Sequence, residues 1–147
     1  MPTAAKLFAA FAFALVGFFT AEVLKPSFPE GFGFGYFSIV CGALGLLAGW
    51  RVMGPSAYAG SVRAASTGVK TSFVMSMWAL TAFSIREMLI MSTQNRFQGV
   101  FDAIYGIFEI MLQYAHLLLT SIPALLVLVV GGMLGGMFSS WAAVRWR

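Results

Sequence analysis

Glu22, Arg86, Glu87, Asp102, Glu109 and His116 are ionisable residues that fall within or beside long apolar runs. At the centre of a membrane helix a charged side chain costs at least about 2.5 kcal/mol on insertion scales, so each is a candidate for function as well as structure. Arg86 and Glu87 are neighbours and project about 100° apart on a helix, which makes a bond between them poor. A pair from Arg86 to Glu22 or Glu109 on another helix is the better expectation. The same guanidinium, and that of Arg51, could instead contact an oxyanion, because the planar fork of donors matches oxyanion geometry.

Gln98, Asp102, Tyr105, Glu109, Gln113 and His116 advance by steps of three and four and so share one helical stripe. Asp102, Glu109, Gln113 and His116 lie in a line along it, whereas a tetrahedral metal site needs convergence. The Glu-x-x-His pair of helical di-iron proteins is absent, since Gln113 stands three residues before His116. A solvated or partner-facing stripe is the plainer reading, and no metal or other cofactor is expected. Cys41 stands alone and reads as a small apolar packing residue. One histidine without a serine elbow builds no hydrolase triad, so the chain does not read as an enzyme.

The elements that must position these residues are membrane helices. Of 147 residues, 60% are hydrophobic and 10% charged, where a soluble domain carries roughly 25% charge. That excludes a soluble globular domain. The net charge of +4 comes from basic residues scattered at the ends of apolar runs, which forms no patch for nucleic acid. The expected fold is an all-α integral membrane protein, one helical domain over residues 1–147. Four transmembrane helices are predicted at about 4–24, 32–50, 69–91 and 122–144, with an amphipathic helix at about 97–118 between the third and fourth.

Thr3 is a plausible N-cap for the first span, and Lys25-Pro26 ends it. Lys6 followed by Leu7 to Phe19 has the outline of a signal peptide, but Phe19-Thr20-Ala21 is a poor cleavage site, so the segment reads as a retained helix. In the second span Gly42, Gly45 and Gly49 recur at helical spacing and permit close backbone approach. Gly31, Gly33 and Gly35 before it lack the preceding strand that a phosphate loop needs. The third apolar run, Thr71 to Ile85, is short, and snorkelling of Lys70 and Arg86 extends it. Gly131, Gly132, Gly135 and Gly136 of the last span form two overlapping small-xxx-small pairs, suited to close contact within the protein or between copies. Trp141, Arg145, Trp146 and Arg147 are an interface anchor. Lys6, Arg51, Arg63, Lys70, Arg145 and Arg147 fall on one side against Lys25, Arg86 and Arg96 on the other, which predicts both termini in the cytoplasm.

Met1-Pro2-Thr3-Ala4-Ala5-Lys6-Leu7, Gly49-Trp50-Arg51-Val52-Met53-Gly54, Arg86-Glu87-Met88 and the terminal Trp141 to Arg147 together resemble the TrgA family of small alphaproteobacterial membrane proteins. The resemblance implies a multi-pass protein of the bacterial inner membrane with a part in tellurite resistance, and it carries over no catalytic residues. Glu22, Arg51, Arg86 and Glu87 are then the candidate ion-pair or oxyanion contacts. A different class of function, a structural or accessory subunit of a larger membrane complex, fits the glycine pairs and the absence of catalytic groups. Its partners would be the lipid bilayer and either further copies or a larger complex, met through the glycine-rich last helix.

Overall fold

The computed structural model describes residues 3–28, 33, 35–56, 60–94 and 99–145. Among the described residues there is no strand, and five helices are long and apolar enough to cross a membrane. They are α1 (Thr3–Leu24), α2 (Phe37–Ser56), α3 (Ser61–Thr93), α4 (Val100–Thr120) and α5 (Ile122–Arg145). The first and last expected spans match α1 and α5 within a residue. The side chain of Thr3, the start of the second span at 32, Gly31, Arg96, Phe97, Gln98, Trp146 and Arg147 lie outside the described residues.

α1, α2, α3 and α5 close a four-helix bundle in which each helix packs antiparallel on two neighbours. Small residues set these contacts. In hydrocarbon there is no hydrophobic drive between helices, and close van der Waals approach replaces it. A Cβ on Gly17 would stand 2.5 Å from the Cys41 carbonyl oxygen, and one on Gly49 2.5 Å from that of Ala9. Across the α3–α5 crossing, Gly68 faces the Gly132 backbone and Gly136 faces the Ala64 backbone with no room for a side chain. Gly131 and Gly135 instead receive Val16, Ala12 and Phe13 of α1. The two glycine pairs of α5 are therefore taken up by two different helices of the same chain.

α2 changes pitch near its end. After Ala48 it widens into a π-helical turn, Gly49–Met53, before a last turn at Gly54–Ser56. The extra residue per turn re-aims the side chains. Met53 is thereby fully buried among Ala5, Ala9, Phe13, Ala64 and Ala143, while Arg51 stays exposed. Ala5 and Ala143 share that cluster, so the start of α1 and the end of α5 lie at one end of the bundle.

α3 begins earlier than the predicted 69. Gly60, at φ +93°, turns the chain into it, and the weakly apolar stretch 61–68 is held as helix by Ala64 and Gly68 against α5. With 33 residues it is the longest helix, about 50 Å at 1.5 Å per residue. Phe83 meets Phe37, the first residue of α2, so residues 84–93 run past the bundle. α4 returns along α3, with the Thr81 hydroxyl near the Met111 sulfur, and makes few contacts with α5. At its end Ser121 alone separates α4 from α5, and the hydroxyls of Ser27 and Ser121 meet at 3.3 Å. α3 arrives at, and α5 departs from, the same end of the bundle. Thus the segment expected as an amphipathic helix is apolar enough to span, yet it joins two helices on one side.

Hydroxyls inside these helices are mostly satisfied by the preceding turn. Thr20, Thr71, Ser76, Ser84 and Ser139 each donate to the carbonyl four residues before, which suits a medium without water.

Candidate functional site

The end of the bundle where α3 arrives gathers the polar and aromatic groups. α1 passes through a short 3₁₀ turn, Lys25–Ser27, which brings Phe28 over the mouth of α2. Phe28 packs edge-on against Phe37 at 5.5 Å and against Tyr114 of α4 at 5.6 Å, and Phe37 lies 4.6 Å from Phe83. This chain of rings ties four helices together with the tilted geometry that aromatic quadrupoles favour.

Glu22 accepts hydrogen bonds at 2.5 Å from both the Lys25 ammonium and the Ser38 hydroxyl. It is therefore not the partner of Arg86. Glu109 is not either, because it lies on the exposed stripe of α4. Among the described residues the nearest carboxylate to Arg86 is that of Glu87, 3.8 Å from Nη1 and too far for a hydrogen bond. The expected interhelical pair is thus replaced by a long contact between sequence neighbours. The cause is local: Lys25 is one helical turn from Glu22 and claims it first.

Arg86, 49% exposed, lines a pocket of about 120 Å³ with Gly33, Gly35, Tyr36, Phe37 and Phe83. The glycines leave open space, with no atom within 4 Å of a Cβ built on either. Tyr36, at the N-terminus of α2, gives no side-chain cap. A guanidinium beside an apolar wall can hold an oxyanion. Arg51 has no share in this site. It stands at the far end of α2, near Met53 and the start of α1.

Asp102, Glu109, Gln113 and His116 are all exposed along α4. Among the described residues no three His, Cys, Asp or Glu side chains group as a metal site. α4 divides into three sectors. Gly106 and Ile110 are buried, the polar stripe is exposed, and Phe101, Ile104, Phe108, Leu112 and Leu119 form an exposed apolar sector in which Phe101 is 88% exposed. Cys41 is buried against Gly17. At the other end Trp141 lies under the Arg145 guanidinium, 5.6 Å from ring centre to charge, an arrangement typical of an interface anchor.

Ser38, Tyr36 and the aromatic chain were not among the sequence candidates. Only the Glu22–Lys25 spacing of three offered a signal. No family model matches the chain, and no curated protein or solved structure does. The TrgA resemblance rests on the sequence motifs alone.

Proposed function

We propose that this chain is a small multi-pass protein of the bacterial inner membrane that acts in tellurite resistance by engaging the oxyanion at Arg86. The resemblance supplies the biological setting, and the pocket beside Arg86 is the observation that carries the chemistry: its guanidinium borders open space at Gly33 and Gly35. Four helices cross the membrane, both termini are cytoplasmic, and α4 stays on the outer face. The shared end of Ala5 and Ala143 and the return of α5 from the side where α3 arrives support this topology. The test is an Arg86→Ala strain with unchanged protein level. Reduced tellurite tolerance supports the reading, and full tolerance removes oxyanion contact from it.

The second reading, an accessory subunit of a larger membrane complex, is favoured by a separate observation. The α3–α4 overhang presents Phe101, Ile104, Phe108 and Leu112 without cover from the rest of the chain, and an apolar surface of this kind marks a contact site. The glycines of α5 are already used inside the bundle, so α4 is the better candidate surface. Purification in mild detergent separates the readings: a stoichiometric larger partner lost on Phe101→Ser and Phe108→Ser supports a subunit, and a lone protein opposes it.

A further inference from the structure

Between α3, α4 and α5 lies an open cleft of about 330 Å³, walled by Phe73, Leu80, Leu118, Leu119, Leu125 and Val129. It exists because α4 leans on α3 and barely touches α5, so its last turns roof the gap without filling it. We propose that this cleft holds an acyl chain of a membrane phospholipid.

The lining presents no hydrogen-bonding group to an occupant. Ser76 donates to the Ser72 carbonyl, and the Ser72 hydroxyl is sealed from solvent at the crossing with Gly132. Water therefore has no partners in the cleft, and an apolar cavity of only roughly 150 Å³ already stays dry and takes up benzene. Left empty, the walls would forfeit their dispersion contacts on one side. In a bilayer the medium at the mouth is hydrocarbon. Phe73, Leu119 and Val129 at that mouth are exposed and continue into the exposed apolar surface of α5 at Leu126 and Val130. The occupant thus enters sideways from the lipid.

Two further features distinguish the cleft from an ordinary groove on a helix surface. Inward, across Ser76, Leu80, Leu118 and Leu128, it adjoins a second apolar cavity of about 60 Å³ that reaches Met75 and Cys41 in the bundle interior. The path therefore leads to the core. At the rim, His116 is exposed on α4 one turn before Leu119, so a polar group stands where an amphiphile would keep its head. A polar head above and an apolar slot below match a phospholipid. An isoprenoid quinone would bury a ring carbonyl among walls that offer it no donor.

The inference is independent of the Arg86 pocket. Its test uses the full chain in proteoliposomes containing a phosphatidylcholine with a diazirine on one acyl chain, irradiated and mapped by mass spectrometry. Adducts should concentrate on Phe73, Met77, Leu119 and Leu125 over the exposed Ile39, Leu46 and Leu47 of α2. Ala115→Phe at the roof and Val129→Phe at the mouth should each cut cleft labelling by about tenfold, a loss of roughly 1.4 kcal/mol, and leave α2 labelling unchanged. Labelling spread evenly over all lipid-facing helices, or cleft labelling that survives both substitutions, overturns the proposal. So does preferential capture of a diazirine-bearing polyprenyl probe in a parallel arm.

Discussion

Gly68 of α3 and Gly132 of α5 meet backbone to backbone, and a Cβ on Gly68 would fall on the Gly132 carbonyl oxygen. Neither partner is the end of a flexible side chain, so the helices themselves must separate to admit even a methyl group. Gly68→Ala is expected to destabilise the bundle by about 1–3 kcal/mol, the usual range for overpacking. Gly99→Ala, where a Cβ meets nothing within 4 Å, should change little. Unfolding by dodecyl sulfate in mixed micelles, followed by circular dichroism, checks both.

Two buried serines of the same crossing should respond in opposite directions. Ser139 donates to the Gly135 carbonyl at 2.6 Å, and Ser72 has no partner among the described residues. Ser139→Ala should cost about 0.6 kcal/mol, the average for such bonds between buried groups in membranes. Ser72→Ala removes an unsatisfied hydroxyl and should leave the protein as stable or up to about 1 kcal/mol more so. The same micelle titration reads the difference.

Arg86 and Arg51 lie at opposite ends of the bundle, on the two sides to which the charge pattern assigns them. Arg86→Gln should lower tellurite tolerance and Arg51→Gln should not, at matched protein levels. Arg86→Lys should fail to restore it, because an ammonium keeps the charge and loses the fork of donors. Minimal inhibitory concentration with immunoblotting is the measurement. Equal effects of Arg51→Gln and Arg86→Gln would point to loss of charge in general.

The return of α4 to its own side is open to a reporter. Alkaline phosphatase fused after Ser121 should be active, and fused after Arg145 inactive, if α4 joins α3 and α5 on the outer face. The reverse pattern would mean that α4 crosses the bilayer.

The ends of α1 and α5 were legible because proline or a cluster of aromatic and basic residues closes an uncharged run of spanning length. The period of α4 was legible too, since its polar residues step by three and four. The start of α3 was legible only in outline: residues 56–70 are small and able to begin a long helix, but Ser61, Arg63, Ser66 and Thr67 break any apolar pattern, and the helix there is secured by Ala64 and Gly68 against another helix. Nor could spacing say that Lys25 and Ser38 share Glu22. Ser38 comes from α2, sixteen residues on, and only the antiparallel pairing of α1 and α2 brings it there. The glycines of α5 were readable as contact points, but which helix each serves depends on the arrangement of the whole bundle.

α3 contains neither glycine nor proline from Val69 to Thr93, the residues at which helices most often kink. Beyond Phe83, where it still meets Phe37, its last ten residues form a stiff arm about 15 Å long at 1.5 Å per residue, so a rocking of roughly 10° about that point would carry the tip near Thr93 through about 3 Å.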